Sequence, residues 1–425
     1  MGTTNEPGSV DYDLIVIGGG AAGFFGAITA AEVSPGLRVL ILEKAPEVLG
    51  KVRISGGGRC NVTHACFDPN ELIERYPRGG RSLIGPLYQW GPTDTVEWFE
   101  SHGVELKTEA DGRMFPITDK SKTIVDCLMG TARREGVEVR TRCEVRSATP
   151  SFDGTRWEIE LINGDQLRTR SLLVATGGIR GGIGGRIAKD AGHQVEPAAP
   201  SLFTFKISDE PELLDLAGIA VPEAIASVPG TKLREQGPVL ITHWGLSGPA
   251  ILRLSAWGAR DLQRTNYCFQ VVIDWTGLGS IGAVDEGLRQ WREQHQRATV
   301  IGRPAFGLPS RLWKWIVKAA QIEDDRRWSN LTRDEHQALT QKLGASVFSV
   351  TGKSTNKDEF VTCGGVVLKE VDFRTMESRL APGLFFAGEV LDIDGITGGF
   401  NFQAAWTTGR IAGEAIADFA GTEKE

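Results

Sequence analysis

The sequence predicts an α/β protein in which a domain built from a parallel sheet and a β-meander carries an inserted β-rich domain, which itself carries a helical subdomain. Three observations lead to this prediction. Near the start, an apolar strand runs directly into a glycine-rich turn and an alanine-rich helix. A second strand, turn and helix of the same kind stands near the end. Between them the pattern changes to short strand-like runs and then to charged helical stretches.

Length and composition limit the classes of protein to consider. A chain of 425 residues is too long for one simple core, so more than one domain is expected. The net charge of −7 argues against a nucleic-acid partner, because proteins that bind phosphate backbones concentrate Lys and Arg. Six cysteines without a CxxC pair fit reduced thiols and indicate no metal site.

The N-terminal segment MGTTNEPGSVDYD lacks the basic region and the apolar run of a secretion signal. No window of the chain approaches the roughly 18 apolar residues of a membrane-spanning helix. We therefore expect a cytoplasmic protein without membrane attachment.

The first element predicts a dinucleotide-binding, Rossmann-like unit. An apolar, β-branched run ends at Gly18, and Gly20 and Gly23 follow with the spacing GxGxxG at the start of a helix. Gly18 allows the tight turn, Gly20 lets the backbone approach a pyrophosphate, and Gly23 lets the helix pack close to the strand. A second strand ends at Glu43, placed to accept hydrogen bonds from ribose hydroxyls. The alternative is a βαβ unit that binds nothing, which leaves the carboxylate unexplained.

The segment RISGGGRCNVTHAC allows two interpretations. Cys60 and Cys66 could form a redox-active disulfide, as in flavin disulfide reductases, although no second nucleotide-binding unit for NAD(P)H follows. We favour the other interpretation, in which Gly56–Gly58 let the main chain pass against a pyrophosphate or a flavin ring. Arg59 and Asn61 would then supply hydrogen bonds to the same ligand.

Further along the chain, helix and strand patterns alternate. The stretch SKTIVDCLMGTARREGVEV predicts a capped helix followed by a strand. Alternation around Asn163-Gly164 predicts a two-residue hairpin turn. The run SLLVATGG then predicts a buried strand that ends in a third turn able to contact a cofactor.

The C-terminal part predicts a second cofactor anchor. GLFFAGE is strand-like and ends at Gly388-Glu389, and a turn with Gly395, Gly398 and Gly399 leads into the final helix. FAD needs one anchor for its AMP half and one for its flavin half. We expect Glu389 to bind ribityl or ribose hydroxyls and the amides near Gly399 to face the flavin edge that gains charge on reduction.

The inserted segment is strand-like in PVLITHWGLSGPAILRLSAW and NYCFQVVIDW, and helical from 282 to 345. Its mixture of Trp and Arg could mark a nucleic-acid or membrane surface, or a helix pair with Trp in the core and Arg at the rim. We favour the helix pair, since nearby acids balance the charge.

The blocks VIGGGAAG, SGGGRCN and GEVLDIDGITGGFN carry a resemblance to a known family. The chain resembles the two-dinucleotide-binding-domain flavoproteins and, within them, the BaiN/RdsA-like, aminoacetone-oxidase-type NAD(P)/FAD-dependent oxidoreductases. The resemblance spans almost the whole chain and implies non-covalent FAD in a Rossmann-like FAD-binding domain. The segment IRGGIGGRIAKDAGH departs from the family pattern, so no binding role is carried over to residues 179–186.

The predicted boundaries place the FAD-binding domain at 1–195 and 362–425, the β-rich domain at 196–280 and 346–361, and the helical subdomain at 281–345. The motifs and the resemblance together predict FAD contacts from Gly18, Gly20, Ala21, Ala22, Gly23, Glu43, Lys44, Lys51, Ser55, Gly56, Gly57, Gly58, Arg59, Cys60, Asn61, Val145, Ala175, Thr176, Gly177, Gly178, Gly388, Glu389, Asp392, Gly398, Gly399, Phe400, Asn401 and Gln403.

These features predict an FAD-dependent oxidoreductase that transfers hydride through flavin N5 between a small organic substrate and either NADH, NADPH or O2. His64, His243, Glu389 and Asp392 are candidates for the catalytic acid or base, and none is assigned. A flavin-binding redox sensor or scaffold without turnover is the alternative from another class. A tRNA-modifying flavoenzyme is a third, disfavoured by the acidic charge.

Overall fold

The computed structural model describes residues 10–354 and 361–421. Residues 1–9 of the N-terminal segment and residues 355–360 of the predicted returning segment lie outside the described part. The described chain forms two compact units, one from residues 10–199 with 361–421 and the other from residues 200–354. No described helix combines the length and apolar character needed to cross a membrane.

The first unit contains the sheet predicted from the glycine-rich motifs. Its elements in chain order are β1 (Val10–Ile17), α1 (Ala21–Val33), β2 (Val39–Leu42), α2 (Gly50–Gly58), β3 (Thr63–His64), α3 (Pro69–Ile73), α4 (Gly80–Gln89), α5 (Pro92–Ser101), β4 (Leu106–Thr108), β5 (Arg113–Pro116), α6 (Ser121–Arg134), β6 (Glu138–Arg140), β7 (Val145–Pro150), β8 (Trp157–Leu161), β9 (Gln166–Val174) and α7 (Ile183–Asp190). A short strand, β10 (Ala199–Ser201), begins at the end of this part of the chain.

The second unit follows with β11 (Phe205–Lys206), α8 (Pro211–Leu214), β12 (Ala220–Val221), β13 (Ile225–Ser227), β14 (Arg234–Gln236), β15 (Val239–Thr242), β16 (Gly245–Ser247), α9 (Pro249–Trp257), α10 (Ala259–Arg264), β17 (Phe269–Asp274), α11 (Ile281–Gln294), α12 (Ser310–Ala319), α13 (Arg333–Gly344), β18 (Ser346–Val350) and β19 (Gly352–Lys353). The chain returns to the first unit in β20 (Val361–Cys363), β21 (Val371–Asp372), β22 (Glu377–Ser378), β23 (Leu384–Phe386) and α14 (Phe400–Gly421).

The main sheet has nine strands, with the path β21-β22-β23-β9-β1-β2-β6 and the meander strands β7 and β8 joined to β9. Strands β23, β9, β1, β2 and β6 run parallel. In the central strand, Leu14, Ile15 and Val16 have 0% exposure, so consecutive side chains on both faces are inaccessible to solvent. This confirms the predicted buried parallel strand.

The first and last helices of this unit pack closely because glycines face each other. A Cβ added to Gly409 would lie 2.6 Å from the Ala22 carbonyl oxygen, and one added to Gly413 would lie 2.5 Å from that of Gly26. Larger side chains would hold the helices apart. The N-terminal and C-terminal glycine-rich motifs are therefore brought to the same side of the sheet.

Of two predictions in the first unit, one is confirmed and one is wrong. The hairpin at Asn163-Gly164 is confirmed between β8 and β9, and β9 continues without a break into the strand predicted from SLLVATGG. The predicted cap of α6 is wrong, because no side chain caps this helix. The Ser121 hydroxyl instead donates to the Arg53 carbonyl oxygen at 2.7 Å, tying α6 to α2.

The second unit contains a five-stranded sheet, β12-β15-β16-β11-β19, and a four-stranded sheet, β14-β13-β17-β18. The strand predicted for PAILRLSAW is a helix, α9, since Ala250, Ile251 and Leu254 form one buried helical face after a Pro at the first position. Helices α11–α13 lie between β17 and β18, and Trp313 and Trp328 are fully buried, as the helix-pair interpretation predicts.

Candidate functional site

The carboxyl ends of four parallel strands of the first unit stop at the same level. Ile17 of β1 pairs with Leu42 of β2 and with Val174 of β9, and Val174 pairs with Phe386 of β23. Each strand runs into a segment that the sequence marks as cofactor-binding: Gly18–Gly23, Glu43, Ala175–Gly178 and Gly388-Glu389. Ligands of open parallel sheets bind at such an edge.

The turn between β1 and α1 has the geometry that its glycines predict. Gly18 has φ of +113°, and an added Cβ would lie 2.4 Å from the Ala175 carbonyl oxygen. A Cβ on Gly23 would lie 2.0 Å from the Gly18 carbonyl oxygen. Gly20, in contrast, faces open space, with no atom within 4 Å of an added Cβ. Gly20 is the N-cap of α1 without a side-chain cap, so this helix end can accept an anion.

Glu43 holds the same turn. Its carboxylate accepts hydrogen bonds from the Gly19 amide and from the Ala45 amide, both at 2.8 Å. A carboxylate has further lone pairs for ribose hydroxyls, so the two roles are compatible.

A cavity of about 270 Å³ lies next to Glu43, lined by Lys44, Arg142, Cys143, Glu144, Leu161, Ile162 and Asn163. Of these, only Lys44 is among the predicted contacts. Val145, another predicted contact, is buried at the start of β7 and pairs with Leu161. The cavity residues share no motif, so the sequence alone could not identify them.

Glu389 is the centre of a second polar cluster. Its carboxylate accepts a hydrogen bond from the Thr362 amide at 2.7 Å and forms an ion pair with the exposed ammonium group of Lys51. Gly178 is close enough that an added Cβ would lie 3.2 Å from the Glu389 carboxylate. The hydroxyl of Thr176 is buried without a hydrogen-bond partner. Thr362 was not predicted as a site residue, because it is its backbone amide and not its side chain that contacts Glu389.

The SGGGRCN segment ends α2 in a distorted turn. Gly56, Gly57 and Gly58 have φ of +58°, +70° and +83°, a conformation that glycine adopts without strain. Gly57 and Gly58 face open space. Ser55, also a predicted contact, leaves helical geometry and donates from its hydroxyl to the Val52 carbonyl oxygen at 3.2 Å.

The structure gives the polar side chains of this segment other partners than the predicted ones. Arg59 donates to Glu109 at 2.6 Å and lies over the Phe115 ring at 3.9 Å. The Asn61 amide, oriented with its nitrogen toward the Thr63 carbonyl oxygen (3.0 Å), accepts from the Gly399 amide at 3.0 Å. Asn61 thereby joins two cofactor-directed segments, and direct contacts of Arg59 and Asn61 with FAD remain predictions.

Cys60 and Cys66 are buried free thiols in the structure. Burial raises the pKa of the Cys60 thiol to about 12, and it also raises the pKa of the Cys66 thiol. Redox-active cysteines need an accessible thiolate. This geometry favours packing of Cys60 over disulfide chemistry.

The turn before α14 is fixed by side chains from distant parts of the chain. Asp394 has no solvent exposure and forms a two-pronged ion pair with Arg78. The Tyr76 hydroxyl donates to the Phe400 carbonyl oxygen at 2.7 Å. Asn401 accepts from the Gly395 amide at 2.8 Å. Arg78, Asp394 and Tyr76 were not predicted as site residues, since nothing in their spacing relates them.

Gly399 and Gln403 occupy crowded positions in this region. A Cβ on Gly399 would lie 2.5 Å from the Thr63 carbonyl oxygen. Gln403 is fully buried, accepts from the Thr63 hydroxyl at 2.6 Å and donates to the Thr95 and Thr407 hydroxyls at 3.0 Å. These bonds tie Gln403 to Thr63, Thr95 and Thr407, and its direct contact with FAD stays a prediction.

The candidate acids and bases have different environments. His64 stacks on Phe400 at 4.7 Å, its Nε2 lies 3.0 Å from the Asp111 carbonyl oxygen, and its Nδ1 is buried without a partner. Burial lowers the pKa of His64. Asp392 accepts from the Gly364 amide at 2.9 Å. His243 is exposed in the turn between β15 and β16 of the second unit. Their catalytic roles stay predictions.

These residues fit FAD. Three features suit a polar ligand: open space at Gly20, Gly57 and Gly58, the uncapped N-terminus of α1, and the buried Thr176 hydroxyl without a hydrogen-bond partner. Glu43 and Glu389 stand at the ends of two strands of the same sheet edge, where hydroxyl-rich parts of a dinucleotide can bind. In the described part of the chain, no group of His, Cys, Asp or Glu side chains is arranged to hold a metal ion.

Comparisons with known proteins identify the family. The profile of the HI0933-like protein Rossmann domain family matches residues 12–415. The chain is 33% identical over 406 residues to a ribosomal RNA dihydrouridine synthase of Escherichia coli (strain K12), covering 93% of this chain and 96% of the relative. It is 28% identical over 411 residues to a 3-dehydro-bile acid delta(4,6)-reductase of Clostridium scindens, covering 95% and 98%.

Among solved structures, a 3-ketosteroid delta1-dehydrogenase from Sterolibacterium denitrificans in complex with 1,4-androstadiene-3,17-dione has a TM-score of 0.54 and 13% identity. The match covers 96% of this chain and 100% of that chain. At this identity the likeness shows a shared fold.

Proposed function

The chain belongs to the HI0933-like Rossmann-domain family, and we propose that it is an FAD-dependent oxidoreductase that reduces a carbon–carbon double bond next to a carbonyl group. NADH or NADPH would be the source of the hydride, through transient binding. The observation that carries the proposal is the convergence of four glycine-rich or acidic strand ends at one edge of the parallel sheet.

When bound, FAD supplies a hydride acceptor and donor at N5 of its flavin ring. The residues of this chain bind and orient it. The N-terminus of α1, exposed at Gly20, suits the pyrophosphate, and Glu43 suits the adenosine ribose. The cavity beside Glu43 has room for the adenine. Glu389, held by the Thr362 amide and neutralised by Lys51, suits hydroxyls of the flavin half.

The substrate class is supported by what the two relatives are named for. Dihydrouridine is uridine with a ring double bond saturated beside a carbonyl, and a delta(4,6)-reductase saturates double bonds conjugated with a ring ketone. Hydride transfer to such a bond is favoured because the carbonyl accepts the developing negative charge. The two substrates share this reactive group and little else.

Anaerobic rapid mixing of the purified FAD-loaded protein tests the proposal. We expect NADH or NADPH to bleach the flavin absorbance. The reduced protein should then be reoxidised by unmodified ribosomal RNA or by a conjugated 3-oxo bile acid, with a product two hydrogens heavier by mass spectrometry.

Other outcomes separate the alternatives. Tight flavin retention without bleaching by either nucleotide would favour the redox sensor and would contradict the proposal. Reoxidation by O2 alone, with neither substrate reduced, would favour an oxidase. Protein that neither carries nor takes up FAD would overturn the cofactor assignment itself.

A further inference from the structure

The helical part of the second unit contains a stretch of a single charge sign, although the chain as a whole has a net charge of −7. Residues 294–322, called the cationic segment below, contain no Asp or Glu. Their Arg and Lys residues are Arg297, Arg303, Arg311, Lys314 and Lys318. An average over 425 residues conceals such a local excess.

All five cations of this segment are exposed, and none forms an ion pair with a described residue. Arg311 donates to the Asp215 carbonyl oxygen at 2.6 Å, which leaves its charge uncompensated. Of the cations next to the segment, Arg289 contacts Asp285 at 2.9 Å and Arg326 contacts Glu335 at 2.9 Å. Arg292 instead donates to the Ser329 carbonyl oxygen at 2.9 Å. The positive charge at the ends of the segment is therefore only partly compensated.

Three of the cations lie on one face of α12. Arg311, Lys314 and Lys318 have the spacing i, i+3 and i+7, which places them along one side of a helix. The opposite side contains Trp313 and Ile316, both fully buried. The helix is thus anchored by its apolar face and presents a row of positive charge to solvent.

The loop before α12 adds the other two cations. Val300 lies between Arg297 and Arg303, and its carbonyl oxygen accepts a hydrogen bond from the Trp313 indole at 2.8 Å. The Val300 amide donates to the Arg326 carbonyl oxygen at 2.8 Å. These bonds fix the loop to Trp313 of α12 and to the backbone at Arg326, and both arginines of the loop are exposed.

We propose that the cationic segment is a docking surface for the phosphate backbone of RNA. The choice of RNA rests on the proposed function and on the first of its two substrates, ribosomal RNA. An enzyme that reduces one base of an RNA must also hold the strand around that base. Arg and Lys bind phosphate oxygens and position the strand without reading its sequence.

An anionic membrane surface is the competing partner for such charges. A helix that binds a membrane surface inserts large apolar side chains between the lipids. From residue 281 to 344, no described large hydrophobic side chain is exposed. The cationic segment therefore fits a polyanion that binds its exposed cations and needs no inserted apolar side chains.

The test uses the full-length FAD-loaded protein and a fluorescein-labelled oligouridylate, with binding measured by anisotropy over a range of salt concentrations. The variant combines Arg311→Gln, Lys314→Gln and Lys318→Gln. A control variant with Lys120→Gln, Lys122→Gln and Arg133→Gln makes the same change of net charge at exposed positions in α6 and at the residue before it. Vesicles of phosphatidylserine and phosphatidylcholine replace the RNA in a parallel series.

We expect the α12 variant to bind RNA on the order of a hundredfold more weakly than the control variant. The slope of log K against log salt should fall by about two, because each phosphate contact contributes about 0.7 on a single strand. Equal affinities of the two variants, absence of RNA binding, or binding to vesicles instead of RNA would each overturn the proposal. FAD content and bleaching by NADPH, measured on the same samples, report separately on the proposed function.

Discussion

The two turns that frame the candidate site are held in different ways. The β1–α1 turn is fixed mainly by backbone contacts and by Glu43, which lies 24 residues from Gly19 in sequence. The turn before α14 is fixed by Arg78, 316 residues from Asp394, and by Tyr76, 324 residues from Phe400. The side-chain hydrogen bonds of the first turn are local, whereas those of the second join residues more than 300 positions apart.

This difference separates two kinds of requirement on the sequence. In the β1–α1 turn the requirement is the absence of side chains, because added atoms would overlap the backbone. In the turn before α14 the requirement is a matched pair of charges inside the protein, which is costly if either partner is missing. Substitutions can test each requirement separately.

The largest expected effect is at Gly23. In Gly23→Ala the new Cβ would lie 2.0 Å from the Gly18 carbonyl oxygen, so the helix must move away from the strand. We expect the free energy of unfolding of the FAD-free protein, measured in urea, to fall by about 4 kcal/mol. The same displacement of the helix should also abolish FAD binding.

Gly20→Ala is the matched control, because its Cβ meets open space in the same turn. We expect the free energy of unfolding to stay within about 0.5 kcal/mol of the natural protein. FAD should bind more weakly, since the Cβ enters the space assigned to the pyrophosphate. Equal destabilisation by the two substitutions would refute the account of this turn.

The next effect is at Asp394. Asp394→Asn leaves the Arg78 guanidinium with 13% exposure and without its counter-charge. We expect the free energy of unfolding to fall by about 3 kcal/mol. The double variant Arg78→Met with Asp394→Leu removes both charges and should recover most of the loss. If the double variant is less stable than Asp394→Asn, loss of the Asp394 charge beside Arg78 is not the cause.

The same contrast explains which parts of the site the sequence could predict. Gly18, Gly20, Gly23 and Glu43 act within one βαβ unit, so their spacing alone indicates their roles. Gly398 and Gly399 were recognised as part of a turn. The side chains that hold this turn, Arg78 and Tyr76, were not recognised, because they have no fixed spacing from it. Pattern along the chain reports local geometry and not long-range contacts.

Side chains were harder to place than backbone for a related reason. Gln403 and Arg59 stand inside motifs and were predicted to contact FAD, yet the structure gives both of them protein partners. A motif names the segment that approaches a ligand, and the fold decides which side chains face it. In the second unit, the uniform charge of the cationic segment was concealed by averaging with the acids around it.

The smallest expected effect concerns pH and sharpens the comparison at His64, which packs on the first residue of α14. Burial, together with the nearby Arg75 charge, lowers the pKa of His64, and a proton added at Nδ1 would find no acceptor. The unfolded chain binds this proton near the ordinary value of about 6.5. Between that value and the lower folded pKa the unfolded state holds more protons, so stability is lost as the pH falls. We expect the difference in unfolding free energy between neutral and mildly acidic pH to be smaller in His64→Gln, whose amide can still donate to the Asp111 carbonyl oxygen.

Burial also lowers the pKa of His193, so His193→Gln should reduce the same difference independently. A proton titration of the His64 ring by NMR in the folded protein checks the cause directly, and a midpoint above about 6.5 would contradict it.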